Sequence, residues 1–176
     1  MTNKLSFTGL KNYIAIFSSS SFINSTVVTI LFAIYTLVIS TFLGVLFALL
    51  LNKDFVGRGF ARAILVIPWA IPWVVIGIMW RWMLNAQFGS LNGLLYQLGI
   101  INEYFPFLAK KRLVLLMAAF PAIWRQASFS GILLLASIQT TPENLYEPAK
   151  IDGAGIIRQF FSITLPWMMP TLIVVL

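Results

Sequence analysis

Residues 27–51 read VVTILFAIYTLVISTFLGVLFALLL, an apolar run without a single charged residue. A helix rises about 1.5 Å per residue, so a helix of this length exceeds the roughly 30 Å hydrocarbon core of a bilayer. The run therefore predicts a membrane-spanning helix. Ser40, Gly44 and Ala48 recur every four residues within it, a spacing that lets a second helix approach closely.

The composition of the whole chain agrees with this reading. Hydrophobic residues make up 60% of the 176 residues and charged residues only 10%. A soluble domain carries roughly 25% charged residues, so this chain lacks the polar surface that water requires. We therefore expect an all-α fold, a polytopic transmembrane helical bundle in contact with membrane lipid.

Missing residue types narrow the chemistry. The chain has no cysteine and no histidine, and only five acids. Thiolate nucleophiles, imidazole bases and Cys/His metal sites are therefore excluded, and we expect no catalytic residue, no metal and no cofactor. The formal charge is +7. Because the basic residues flank apolar runs, they indicate lipid headgroups and no nucleic acid.

Three further apolar runs predict more spans, at about 63–84, 113–137 and 163–176. Pro68 and Pro72 lie in the first of them, where each removes a backbone donor and predicts a kink. Such breaks persist where neighbours or water satisfy the freed carbonyls, so this run should face protein or a cavity. A role in gating and a purely structural kink both remain open. The last run is shorter than the ~20 residues that a span needs, so we infer a fragment cut inside a fourth helix.

The connection at 85–112 predicts a short helix lying in the interface, capped by Ser90 and ended by Gly99. Trp80 and Trp82, with Arg81, are typical of an interfacial belt. Basic residues divide almost evenly between the two sides of the predicted topology. Charge bias alone therefore does not orient the chain.

Arg125 is the charge placed deepest in a predicted span. Intramembrane charges are costly and usually face a pathway or a partner, so Arg125 is a candidate for the translocation path or for an interhelical clamp. The alternative is that it snorkels to an interface. Trp124 and Phe129 are aromatic candidates for lining the same path, although packing is the common role of such aromatics.

Residues 140–170 read TTPENLYEPAKIDGAGIIRQFFSITLPWMMP. Thr141 is a good N-cap and Pro142 a good first helical residue. The short helix should run to about Ile151, and Gly153 can adopt the positive φ that ends it. A second helix follows. Two short helices joined at an acidic, glycine-containing corner suit docking into a cleft of another protein.

This stretch resembles the EAA loop of the permease subunits of binding-protein-dependent ABC importers, in the sugar-uptake branch. The matching residues are Glu147, Ala149, Asp152, Gly153, Ala154, Phe160, Ile163, Thr164, Leu165, Pro166 and Pro170. Other segments are similar to the same branch: FTGLKNY at 7–13, ALLLNKDFVGRGFAR at 48–62, IPWAIPWVV at 67–75 and FGSLNGLL at 88–95. The resemblance covers nearly the whole chain.

The resemblance implies a role for each part. Residues 139–162 would form a cytoplasmic loop whose coupling helix sits in a groove of a separate ABC ATPase subunit, with Glu147, Ala149 and Gly153 making the contacts. Residues 53–62 would also be cytoplasmic, and an extracytoplasmic solute-binding protein would dock on 85–112. A second permease subunit would complete the path for a sugar, oligosaccharide or glycerol phosphate. The location would be the cytoplasmic (inner) membrane of a bacterium or archaeon, crossed several times.

The sequence departs from the family pattern in three ways. Pro148 replaces the second alanine of the triplet, which predicts a kinked or shorter coupling helix. Residues 110–112, KKR, would lie outside, against the positive-inside tendency. The family also has one more helix before this chain and about two after it. The chain therefore resembles a single permease domain that is incomplete at both ends.

Other classes of membrane protein fit less well. An ion-coupled secondary transporter would want Asp, Glu or His inside its spans, and a membrane enzyme would want paired acids or Cys and His. No G-x-x-x-x-G-K-[ST] motif occurs, so we expect any ATP hydrolysis in a partner rather than in this chain. A secondary (ion-coupled) transporter or a channel-like membrane protein without an ATPase partner remains the alternative. For Glu147 itself, the alternative to a coupling role is an ordinary solvated loop carboxylate.

Overall fold

A computed structural model of the chain describes residues 9–110 and 113–176. Residues 7–8 of the FTGLKNY block and the basic residues 111–112 therefore lie outside the described part. Within it the secondary structure is entirely helical, which confirms the all-α prediction. The helices are α1 Lys11–Phe17, α2 Ser20–Asn52, α3 Arg58–Ala70, α4 Trp73–Met83, α5 Ser90–Gln97, α6 Val114–Gln139, α7 Tyr146–Ile151, α8 Ile156–Gln159 and α9 Leu165–Val175.

Close packing of α2 on α6 forms the centre of the fold. Ser40, Gly44 and Ala48 are all buried, which confirms the predicted small-residue face. A Cβ atom on Gly44 would come within 2.6 Å of the Ser130 Cβ, and one on Gly131 within 3.1 Å of the Phe47 Cβ. The two backbones therefore approach as closely as glycine allows, and the helices run parallel.

The main apolar core lies beside this contact, toward the carboxyl ends of α2 and α6, where α9 packs with both helices. Its buried members are Ala48, Leu51, Leu134, Leu135, Ile138, Met168, Leu172 and Val175. The Gln126 Nε2 donates to the Val175 carbonyl oxygen at 3.5 Å, so α9 runs antiparallel to α6. The carboxyl ends of α2 and α6 therefore lie beside the start of α9.

Between α3 and α4 the chain bends by 98°. The break falls at Ile71 and Pro72, both of which are extended, with ψ values of 132° and 141°. The residue before a proline is biased toward this conformation. α3 continues through the buried Pro68 for two more residues, so only the second proline lies at the break. The run predicted as one span, 63–84, is two helices set at an angle.

Within the described residues, α2 is the one helix that is long and apolar enough to cross a membrane by itself. The bent pair α3–α4 meets the same criterion only as a broken span or a re-entrant loop. α6 has 26 residues, which at about 1.5 Å each is sufficient length, but Arg125 and Gln126 lower its apolarity. The four-span topology therefore stays a prediction.

Asn92 in α5 is a buried asparagine whose side chain links distant parts of the 85–105 connection. The Asn92 Nδ2 donates to the carbonyl oxygens of Asn85 (3.1 Å) and Phe105 (3.0 Å), and its Oδ1 accepts from the Phe105 N–H (2.9 Å). This role of Asn92 was not predicted from the sequence. Ser90 is the first residue of α5 and Gly89 is its cap, so the predicted Ser90 cap is wrong. The predicted end at Gly99 is confirmed by its φ of +70°.

The Gly44 contact generates a stability prediction. Gly44→Ala should destabilise the α2–α6 packing by about 1–3 kcal/mol, because the new Cβ overlaps Ser130. Gly77→Ala in α4 is the matched control, since its Cβ would meet nothing within 4 Å. The measurement is unfolding by SDS in mixed micelles, followed by helical circular dichroism. Adding Ser130→Gly should restore most of the loss. Equal midpoints for the two alanine variants would contradict the close approach.

Candidate functional site

Residues 143–159 form a corner between α6 and α9 that we call the elbow. A 3-10 turn, Glu143–Leu145, leads into α7, which ends where Gly153 adopts a φ of +75°. The Ala154 N–H donates to the Ala149 carbonyl at 2.8 Å and the Gly153 N–H to the Lys150 carbonyl at 3.0 Å. This pair of bonds is a Schellman motif, and it confirms the predicted positive φ at Gly153.

The elbow begins one residue later than predicted. Pro142, not Thr141, occupies the cap position, with an extended ψ of 131°, and Glu143 is the first helical residue. The Thr141 Oγ1 is buried and has no hydrogen-bond partner in the described part of the chain. The preceding Thr140 is the one that bonds, donating to the Ser137 carbonyl at 2.8 Å. The predicted Thr141 cap is therefore wrong.

Pro148 is accommodated because of where α7 starts. It is the third residue of a helix that begins at Tyr146. N–H groups in the first turn of a helix have no intrahelical partner, so a proline there loses no bond. α7 has six residues. The cost of a mid-helix proline does not apply.

Three side-chain hydrogen bonds lie within the elbow or where α6 and α9 meet it. The hydroxyls of Tyr146 and Thr164 lie 2.9 Å apart, and Thr164 is buried at the start of α9. The Gln159 Nε2 donates to the Ala154 carbonyl at 2.6 Å. The Trp167 Nε1 donates to the Thr140 Oγ1 at 3.3 Å. The roles of Tyr146, Gln159 and Trp167 were not predicted, because these bonds link residues that adjoin only after folding.

The predicted coupling residues do not all face outward. Glu147, Asp152 and Gly153 are exposed, while Ala149 and Ala154 are half-buried. Leu165 packs against the core and Pro166 is exposed at the second position of α9.

The outer surface of the elbow is apolar as well as acidic. Ile151, Ile156 and Ile157 are 86%, 86% and 76% exposed. With Glu147 and Asp152 they form what we call the elbow face. Within the described residues neither carboxylate forms an ion pair. Apolar patches with a polar rim mark interaction sites, so the elbow face has the character of a docking surface.

A groove of about 1040 Å³ separates the elbow from the carboxyl end of α2. Lys53 borders it on one side and Glu147 and Lys150 on the other. Lys53 and the elbow therefore lie at the same end of the molecule, and the cytoplasmic location of 53–62 and 139–162 stays a prediction. Taken as a whole, the bent pair α3–α4 progresses toward the amino-terminal end of α6: Leu65 lies near Gly131, and the Trp80 ring centroid lies 4.8 Å from that of Phe120. The 85–105 connection thus lies at the opposite end.

A second cluster brings together residues predicted for the translocation path. The guanidinium of Arg125 lies over the Trp73 ring at 4.5 Å, and Phe129 stacks on Trp69 at 5.9 Å with an interplanar angle of 17°. Trp69 and Trp73 flank the break at Pro72, so the cluster spans the bend. We call these four residues the bend cluster.

The other predicted path residues lie elsewhere. Trp124 meets Trp80 edge to face, with ring centroids 5.9 Å apart, and Pro68 is buried within α3. Trp80 therefore points inward, while Trp82 is exposed as an interfacial residue would be. Trp69 and Trp73 were not predicted, although their i, i+4 spacing around Pro72 is a sequence signal.

Comparison with known proteins identifies the family. Residues 40–176 match the family described as binding-protein-dependent transport system inner membrane component. The chain belongs to this family, and its named relatives are transport permeases rather than enzymes.

Three curated relatives show the range of the family. The trehalose/maltose transport system permease protein MalF of Thermococcus litoralis is 40% identical, over 97% of this chain and 57% of that protein. The Agrobacterium fabrum permeases SmoG (sulfoquinovosyl glycerol) and UgpA (sn-glycerol-3-phosphate) are 36% and 35% identical. They cover 97% and 94% of this chain and 54% and 55% of their own lengths. The chain thus spans a little over half the length of these relatives.

Two solved structures of a bacterial ABC transporter also match the fold of this chain. A bacterial ABC transporter that imports the acidic polysaccharide alginate matches with a TM-score of 0.82 and 26% identity. The match covers 97% of this chain and 60% of the matched one. The alginate transporter bound to a periplasmic protein carrying an alginate pentasaccharide matches with a TM-score of 0.80 and 27% identity, over 93% and 57% of the two chains. These matches confirm the fold class of an ABC importer permease.

The end of α7 generates a prediction about local order. Gly153→Ala should raise the free energy of the elbow by about 1–2 kcal/mol, because an L-residue is strained at this φ. Gly155→Ala is the control, since Gly155 has a φ of −67° and open space around its Cβ. Hydrogen exchange of the amides at 149–154 should accelerate in the first variant and stay unchanged in the second. Unaltered exchange in both would contradict the Schellman assignment.

Proposed function

We propose that this chain is part of the membrane-spanning subunit of an ATP-driven importer for a sugar or related solute. A separate cytoplasmic ABC ATPase would engage the elbow face, a second permease subunit would complete the path, and an extracytoplasmic binding protein would deliver the solute. The relatives' names cover trehalose/maltose, sulfoquinovosyl glycerol and sn-glycerol-3-phosphate, so they single out no one solute.

The observation that carries the proposal is the construction of the elbow. Exposed isoleucines, and two carboxylates that form no ion pair within the described residues, stand on a corner that the Schellman motif closes and the Tyr146–Thr164 hydrogen bond ties to the start of α9. Because Thr164 is buried at the start of α9, a force applied to α7 reaches the helix core directly. Such a corner suits a coupling element better than a flexible loop would.

In the proposed topology the elbow end is cytoplasmic and the 85–112 connection lies outside. α2, the bent pair α3–α4, α6 and the helical run that ends in α9 would each cross the bilayer. The alginate transporter in complex with its periplasmic protein supports a binding protein on the outer side, since that complex has a closely similar permease fold.

The placement of acids disfavours an ion-coupled transporter. All five acids are exposed and none lies within α2, α3, α4, α6 or α9. Ion-coupled transport uses titratable groups inside the membrane. Because these helices contain no acidic residue, an external energy source is the better-supported mechanism.

Crosslinking tests the partner. The chain has no native cysteine, so Ile151→Cys gives a single label site that is more accessible than the half-buried Ala149. In membranes containing the assembled importer, a bifunctional reagent should capture the ATPase subunit at this site. Leu98→Cys, at an apolar residue that is 64% exposed but lies at the opposite end, should not capture it. Capture from Leu98 alone would overturn the proposal.

Coupling is tested by the double variant Glu147→Gln, Gly153→Ala. ATP-driven uptake should fall at least tenfold, because both the carboxylate contact and the elbow geometry are changed. Membrane insertion should persist. Gly77→Ala in α4, whose added Cβ would meet nothing within 4 Å, is the control and should retain uptake. Unimpaired transport by the double variant would count against the coupling role.

Topology is tested by impermeant maleimide labelling. Lys150→Cys should react only from the cytoplasmic side and Lys110→Cys only from outside, because the two residues lie at opposite ends of the bundle. The reverse pattern would invert the proposed orientation and remove the elbow from reach of a cytoplasmic ATPase.

A further inference from the structure

Arg125 lies at the middle of α6. It is eleven residues from Val114 and fourteen from Gln139, which corresponds to about 16 Å and 21 Å along the helix axis. In the proposed topology this depth is near the centre of the hydrocarbon layer. A charge at that depth is expensive unless it faces a partner or a water-filled cavity.

Within the described residues, Arg125 has no acidic partner. The one ion pair joins Arg58 to Asp54, and no hydrogen bond from Arg125 is present. Its Nε is buried without an acceptor. A guanidinium carries five N–H donors, so this cation has donors left for a ligand.

The aromatic neighbours shape what that ligand can be. Trp73 supports the guanidinium from one face, and the Trp69–Phe129 pair lies one helical turn away on α6. Trp69 and Trp73 are 44% and 52% exposed, so their rings are not enclosed by this chain. Exposed aromatic faces suit the C–H faces of a sugar, and a supported guanidinium suits a bidentate oxyanion.

We propose that Arg125 makes the path selective for solutes that carry an acidic group, such as a carboxylate, sulfonate or phosphate on a sugar or polyol. The bend cluster would hold the carbon skeleton against Trp69 and Trp73 while Arg125 pairs with the oxyanion. This inference rests on the proposed function, since it requires that α6 lines the path.

The test compares matched acidic and neutral probes. Binding of glucuronate against glucose, and of glycerol 3-phosphate against glycerol, is measured by thermal shift on the assembled importer in neutral detergent. The acids should bind at least tenfold more tightly than their neutral analogues. Arg125→Gln should remove that preference while changing the binding of the neutral probes less than twofold.

Two further variants separate charge from structure. Arg125→Lys keeps the charge but loses the planar fork, so it should retain part of the preference. Arg81 is an exposed arginine near the end of α4, so Arg81→Gln is the control and should retain the full preference for acidic probes. Equal binding of acidic and neutral probes by the unaltered importer would overturn the inference. An equal loss of binding for acidic and neutral probes in Arg125→Gln would also overturn it, because Arg125 would then act only as a clamp between helices.

Lipid headgroups offer the same oxyanion chemistry, so the measurement is repeated with phosphatidylglycerol in the micelles. Acid preference that disappears on adding this lipid, with no solute competition, would assign Arg125 to lipid and overturn the inference. Crosslinking at Ile151 and ATP-driven uptake are recorded on the same preparation. Their persistence without acid preference rejects only this inference, whereas their loss rejects the proposed function itself.

Discussion

Close approach of α2 and α6 is the constraint on which the rest of the structure depends. Gly44 and Ser130 meet at a distance that leaves no room for a second Cβ. In lipid, burying apolar helix surfaces against each other gains no hydrophobic free energy. Close van der Waals packing therefore has to stabilise the helix pair. Because the two helices run parallel, their carboxyl ends emerge side by side. The elbow that follows α6 is thereby placed beside Lys53 at the end of α2, and the groove between them results.

The junction between the elbow and α9 shows how local chemistry serves this arrangement. The chain passes from α8 into α9 through a π turn, Phe160–Thr164, without leaving the helix. Pro166 follows, and its ring would crowd the carbonyl of Ser162 in a regular helix. A widened turn relieves that clash. It also places Thr164 where Tyr146 can reach it, so the proline and the anchoring hydrogen bond have a common structural basis.

Much of this could be read from the sequence, and the failures have physical causes. Periodicity identified the small-residue face of α2, and glycine chemistry identified the ends of α5 and α7. The elbow was recognised as a unit because its signals are local. The kink predicted at Pro72 is present as a sharp bend. The capping position of Pro142 was misplaced and the Asn92 network was missed. Each depends on groups brought together by packing, and Asn92 reaches a residue thirteen positions away. The aromatic partners of Arg125 were missed for the same reason, since they lie on α3 and α4.

The isoleucines of the elbow face have a consequence for biogenesis. In the proposed assembly, a newly inserted copy that has not yet met the ATPase presents Ile151, Ile156 and Ile157 to water, and chaperones and proteases bind such surfaces. Unassembled copies should therefore be short-lived, and the abundance of this subunit should follow that of whatever covers the corner. Stoichiometry would then be enforced by degradation of the surplus rather than by matched synthesis.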